Sequence, residues 1–307
     1  MGIQSVSFIG LGALGILFGS QMNLSLPKGA LTFVADETRV KKYKEKGVYA
    51  NEQFCDFDYR TPESIEKPVD LLIFSVKADG LDAAIELAKP IVSEHTIILS
   101  LLNGISSERI LGSVFGEDKV LYSVAQGMDA VKVNNILSYH HMGMICFGDQ
   151  GAGTISIMTK EVAEFFDRTG IPYEVDTNML KRQWGKFMLN VGVNQTVAVY
   201  RGNYGTIQVE GEPRETMIAA MREVIRIAPY EGITLTEDDL SYWLNVLNQL
   251  NAEGKPSMAQ DVEAGRKSEV ELFAGTVLAL YKKHKLAQPT TNQMLYENIQ
   301  RIDSHSV

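Results

Sequence analysis

A short apolar run, Val6-Ser7-Phe8-Ile9, empties directly into Gly10-Leu11-Gly12-Ala13-Leu14-Gly15. The G-x-G-x-x-G spacing has a purpose where a strand turns into a helix. The first glycine permits the tight turn, the second lets backbone approach a pyrophosphate, and the third lets the helix pack closely on the strand. The helix N-terminus then faces the anion. Glycine-rich turns are common, so the reading rests on context. Here a strand is predicted over residues 5–9 and a helix over 13–23, so the whole motif is present at the start of the chain.

The remainder of the first half has the same character. Apolar runs at 31–35, 71–76, 96–101, 120–124 and 144–147 are continuous rather than alternating, as strands covered on both faces require. Residues 173–175 add a candidate edge strand. Helical stretches, such as the charged 38–46 and the segment 82–89, separate the early strands and imply βαβ units. Beyond about residue 177 the pattern is helical: 179–200, 215–231, 237–251, 258–284 and 290–302, broken at Arg201-Gly202-Asn203 and Gly254-Lys255-Pro256. The expected fold class is therefore an α/β Rossmann-like N-terminal domain with a parallel sheet, residues 1–176, followed by an all-α C-terminal domain, residues 177–307. A length of 307 residues, more than one core usually serves, fits two domains.

Charge and composition narrow the function classes. A net charge of −9 argues against a nucleic-acid partner, which needs a basic footprint, but one local site can still bind a small anion. Cys55 and Cys146 make no disulfide framework and have no metal-like spacing, so a reduced cytoplasmic setting is the default. The apolar start lacks the preceding basic residue of a secretion signal, and no run of about 18 apolar residues offers a membrane span. His140-His141 lacks a third ligand, and neither H-E-x-x-H nor G-x-S-x-G occurs, so a metal or nucleophile centre is not expected.

Three further positions belong to the first half. Asp36 follows the second predicted strand, 26 residues beyond Gly10, near the spacing of a ribose-binding carboxylate. A carboxylate there accepts from a 2′-hydroxyl and repels a 2′-phosphate, although Arg39 stands close enough in sequence to bind that phosphate. Asp36 equally suits the N-cap of the next helix, and the two roles are compatible. Lys77 and Asn103-Gly104 follow two other strands at the sheet's carboxyl edge, where open α/β sheets bind ligands; turn chemistry alone also explains them.

The helical half carries two polar patterns. Lys186, Asn190 and Asn194 recur at steps of four, one stripe on an otherwise apolar helix. A lysine and two asparagines there are costly to bury without partners, so the stripe either lines a cleft or forms a solvated face. Ser257, Asp261, Gly265 and Glu269 also step by four. Ser257 with Gln260 reads as a capping box, and Glu269 beside Arg266 and Lys267 reads equally as an ion-paired surface.

Taken together, the chain resembles the 2-dehydropantoate 2-reductases (ketopantoate reductases) nearly end to end. The resemblance is carried by Gly10–Gly15, Lys77, Asn103-Gly104, Lys186-x-x-x-Asn190-x-x-x-Asn194 and Ser257-Met258-x-Gln260-Asp261…Glu269, in family order. It implies NADPH on the first domain, at Gly10, Leu11, Gly12, Ala13, Leu14, Gly15, Lys77 and Asn103, beside the candidate Asp36 already read from its spacing. It also implies a small 2-oxo acid in the interdomain cleft, and reduction of 2-dehydropantoate to D-pantoate on the way to pantothenate. By the same resemblance Lys186 is the general acid and Glu269 binds the substrate hydroxyl and orients the lysine. Asn190, Asn194 and Ser257 hold the 2-oxo acid, Asn103 lies near both nicotinamide and substrate, and a homodimer is a family expectation. Two departures stand out. Asp36 occupies the place of the family's phosphate-binding arginine, which opens NAD and the D-2-hydroxyacid dehydrogenases as an alternative. Gln195-Thr196-Val197 replaces a smaller or proline-containing continuation.

Overall fold

The computed structural model describes residues 2–153 and 155–304. The chain divides into two compact units, Met1–Met179 and Leu180–Val307.

In the first unit the order is β1 (Val6–Ile9), α1 (Ala13–Asn23), β2 (Leu31–Val34), α2 (Glu37–Lys46), β3 (Tyr49–Ala50), β4 (Gln53–Phe54) and β5 (Asp58–Arg60). Then come β6 (Leu71–Phe74), α3 (Leu81–Ala88), β7 (Ile97–Ser100), α4 (Ser107–Phe115) and β8 (Val120–Gln126). The unit closes with β9 (Val131–Val133), β10 (Ile136–Ser138), β11 (Met144–Gly148), α5 (Ile157–Thr169) and β12 (Tyr173–Val175). Eight strands form one sheet in the order β12-β11-β8-β7-β6-β1-β2-β5. Its strands obey period two, because successive side chains leave a strand on opposite faces. Phe8, Phe33, Ile73 and Leu99 join one core with Ile16 and Phe18 of α1 and Phe165 of α5. Ile9, Val34, Leu72, Phe74 and Ile98 join a second core with Leu81 and Ile85 of α3 and Leu111 of α4. Burial on both faces is why the runs read as continuously apolar.

The sheet is not wholly parallel: β11 runs antiparallel to β8. Between them lies no helix, only the β9–β10 hairpin, and without a helical crossover the chain returns beside the strand it left. That hairpin pairs with β3 and β4 in a separate four-stranded sheet, β4-β3-β10-β9, which the sequence pattern did not disclose. Helices α4 and α5 were likewise unforeseen.

The second unit contains α6 (Met179–Val199), α7 (Tyr204–Gln208), α8 (Glu212–Ile227), α9 (Glu237–Asn248), α10 (Ser257–Glu263), α11 (Ala274–Lys283) and α12 (Thr290–Ser304). Bare Cα atoms let α6 approach its neighbours. A Cβ on Gly185 would stand 2.6 Å from Trp243 Nε1, and one on Gly192 would stand 2.5 Å from Met221 Cγ. Gln195, fully buried, donates to Val191 O (2.7 Å) and accepts from the Ala274 amide (3.1 Å). Its Nε2 also reaches Asn292 Oδ1 at 3.3 Å. Glu223, also buried, accepts from the Thr291 and Asn292 amides at 2.9 and 2.8 Å, holding the N-terminus of α12.

The expected single helix over 258–284 is corrected to two. α10 stops at Glu263, Gly265 takes φ +64°, and Arg266 folds back so that its amide and Nε both reach Asp261 at 2.8 Å. The capping box is corrected as well. Pro256 is the N-cap, and Gln260 Nε2 turns back to Lys255 O at 2.9 Å.

Replacing Glu223 by alanine strands the buried Asn292 amide and the partly buried Thr291 amide, and Glu223→Ala should lose about 3 kcal/mol of stability. Thermal or urea unfolding against the wild-type protein measures it.

Candidate active site

The first unit gathers its sequence-derived candidates at the carboxyl ends of four adjacent parallel strands, β7, β6, β1 and β2. At ordinary strand spacing they cover about 14 Å of sheet edge. Gly10 leaves β1 with φ +112°, a conformation open to glycine, and its Cα lies against the end of β6. A Cβ there would sit 2.6 Å from Ser75 C and O. Gly15 is equally constrained: its Cβ would stand 2.3 Å from Gly10 O. Gly12 caps α1 without any side-chain hydrogen bond. The amides of Ala13, Leu14 and Gly15 thus stand in the first helical turn, where no intrahelical acceptor exists. Residues 10–14 are partly exposed. A cradle of bare Cα atoms before an uncapped helix N-terminus fits a pyrophosphate.

Asp36 does cap α2: its Oδ1 accepts from the Arg39 amide at 2.8 Å, and Oδ2 lies 3.3 Å from Arg39 Nη1. Lys77 is exposed two residues beyond Ser75 and opens a 3₁₀ turn, Ala78–Gly80. Asn103 is half-buried just beyond β7 and precedes Gly104 at φ +91°. Ser75, which belongs to no sequence motif, also stands here, and its Oγ donates to Gly10 O at 2.7 Å. Its only signal in the sequence is a lone hydroxyl inside Leu71-Leu72-Ile73-Phe74-Ser75-Val76.

In the second unit Lys186, Asn190 and Asn194 do share a stripe of α6. Lys186 and Asn190 are half-buried, and Asn194 is 5% exposed. Ser257 is the exposed first residue of α10. The loop before it is tied to α7, with Tyr204 N donating to Gly254 O at 2.9 Å and Gly205 N to Ala252 O at 2.8 Å. Glu269 lies in the segment after α10, off the helical stripe expected for it, and is half-buried. Its neighbour Ser268 fastens that segment to α12 through Asp303, Oγ to Oδ2 at 2.7 Å. Neither Ser268 nor Asp303 was foreseen. Among the described residues no group of three His, Cys, Asp or Glu side chains is arranged to hold a metal. Burial pushes the Cys55 thiol up to about 11, which keeps it protonated at neutral pH.

A glycine turn at the mouth of a doubly wound sheet, followed by a helical unit with a polar stripe, is a Rossmann-like domain joined to an all-helical one. The chain belongs to the ketopantoate reductase family. Residues 6–150 match the family model described as ketopantoate reductase PanE/ApbA, and residues 178–303 match its C-terminal counterpart. Family members are oxidoreductases acting on CH–OH groups. A 2-dehydropantoate 2-reductase of Aquifex aeolicus is 24% identical over 293 residues, 94% of each chain. The fold is shared with a dimeric ketopantoate reductase from Staphylococcus aureus (19% identity, 99% and 100% of the two chains, TM-score 0.82). It is also shared with a D-mandelate dehydrogenase solved with NADH and anilino(oxo)acetate (19% identity, 98% and 99%, TM-score 0.86). No helix among the described residues is long and apolar enough to cross a membrane.

The stripe and the residue beside it should separate cleanly in stability measurements. Asn190→Ala is expected to change unfolding free energy by no more than about 0.5 kcal/mol. Gln195→Ala, which strands buried partners, is expected to cost about 2 kcal/mol. Equal losses would mean the stripe serves folding instead.

Proposed function

We propose that this protein reduces a 2-oxo acid to the 2-hydroxy acid with a nicotinamide dinucleotide, and that 2-dehydropantoate, giving D-pantoate, is the substrate. The observation that carries the reading is the Lys186–Asn190–Asn194 stripe, an ammonium and two amides aligned on a helix whose other faces are largely buried. The coenzyme, when bound, supplies a hydride to the ketone carbon. Lys186 Nζ stabilises the charge that grows on the ketone oxygen and then protonates it. Glu269 binds the substrate's own hydroxyl and keeps the lysine charged and oriented. Asn190, Asn194 and Ser257 hold the 2-oxo acid. On the coenzyme side, residues 10–15 cradle the pyrophosphate, and Lys77 and Asn103 complete the site near phosphate and nicotinamide. The dimeric state described for the Staphylococcus aureus protein is the assembly we extend to this chain.

A second reading is an NADH-dependent D-2-hydroxyacid dehydrogenase acting on another branched or aromatic 2-oxo acid. Asp36 favours it: a carboxylate at the end of β2, already capping α2, accepts from a ribose 2′-hydroxyl and opposes a 2′-phosphate. The D-mandelate dehydrogenase of like fold was solved with NADH. Steady-state rates with NADH and NADPH across several 2-oxo acids decide between the two. Turnover of 2-dehydropantoate supports the first; its absence beside rapid turnover of phenylglyoxylate or a branched acid transfers the assignment to the second.

Two variants probe the roles. Lys186→Ala should lower kcat by about 10²–10⁴-fold with coenzyme affinity retained, and an intact rate would remove the lysine from the chemistry. Asp36→Arg should shift the NADPH-to-NADH ratio of kcat/KM toward NADPH; an unchanged ratio excludes Asp36 from coenzyme choice.

A further inference from the structure

Resting on the dinucleotide reading above, we infer that Ser75 is a positioning residue for the coenzyme's pyrophosphate, acting through the Gly10–Leu11 peptide. The Gly10 carbonyl is held from two sides. Ser75 Oγ donates to it at 2.7 Å, and the Cα of Gly15 leaves just enough room for it, since a Cβ there would stand 2.3 Å away. Ser75 is itself fixed: its amide donates to Ile9 O at 2.9 Å, and the residue is 8% exposed. In a trans peptide the carbonyl and the following N–H point in opposite directions. Turning Gly10 O inward toward Ser75 therefore turns the Leu11 N–H outward, to the partly exposed side of the turn. Among the described residues that N–H has no acceptor. It joins the first-turn amides of α1 as a donor aimed where an anion would lie.

Without the hydroxyl, Gly10 O loses its hydrogen-bond donor, and the permissive glycine leaves that peptide less firmly oriented. Ser75 gives its hydroxyl to Gly10 O, so its signature is selective. Ser75→Ala should raise the dissociation constants of the preferred reduced coenzyme and of ADP-ribose by the same factor, about fivefold to tenfold. AMP, which lacks the pyrophosphate, should bind as before. Ser75→Cys keeps the volume but donates weakly and should fall in between, while Ser75→Thr, which keeps the hydroxyl, should restore affinity. The measurement is nucleotide binding by fluorescence or calorimetry on the intact protein, with unfolding midpoints recorded alongside. Unchanged coenzyme affinity in both Ser75→Ala and Ser75→Cys overturns the inference, as does equal weakening of AMP. A wild-type protein that binds neither NADH nor NADPH overturns the dinucleotide reading itself, and this inference with it.

Discussion

The setting of α6 about its own axis depends on one buried amide. Gln195 spends its donor on Val191 O and Asn292 Oδ1, and its oxygen on the first amide of α11. Any rotation of α6 breaks contacts to two other helices at once and leaves their polar groups unpaired in an apolar interior. Residues four apart on a helix drift by about 40° per step, so the line from Lys186 to Asn194 winds gradually around the cylinder. That drift accounts for the gradient along it, from half-buried Lys186 and Asn190 to nearly covered Asn194. The departure seen in the sequence, Gln195 after Asn194, is fully buried and anchors the helix.

Local signals made most of the architecture legible. Strands buried on both faces must be continuously apolar, and seven of the eight strands of the main sheet stood out for that reason or as the edge at residues 173–175. The stripe on α6 was visible because helical periodicity is a property of the segment alone. What escaped was set by distant partners. The two-residue strand Tyr49–Ala50 exists because Ile136–Ser138 lies beside it, and the pairing is too short for any periodic signal. The break after Glu263 depends on Arg266 turning back to Asp261, a contact that competes with helix continuation and leaves no trace in a four-residue spacing.

The candidate site shows the same division. Charged and amide side chains at Lys77, Asn103, Lys186 and Asn190 announced themselves through residue type and position. The groups that support the site, Ser75 beneath the glycine turn and Ser268 on Asp303, are small hydroxyls whose value lies in a single directed hydrogen bond. A serine within an apolar strand reads in sequence as a minor irregularity. In the fold it is the donor that meets a carbonyl turned away from water.

Under the NADH reading proposed above, the capping role of Asp36 couples coenzyme choice to the integrity of α2. An acidic N-cap contributes about 1 kcal/mol to its helix, so a direct exchange for a cationic side chain surrenders the cap together with the charge. Asparagine or serine would delete the charge while keeping an oxygen for the Arg39 amide. Lineages that changed nucleotide preference at this position would then be expected to pass through neutral capping residues, with the phosphate-binding cation supplied by a neighbour already in place, such as Arg39. The order of such replacements would be dictated by helix stability before any catalytic advantage could be selected.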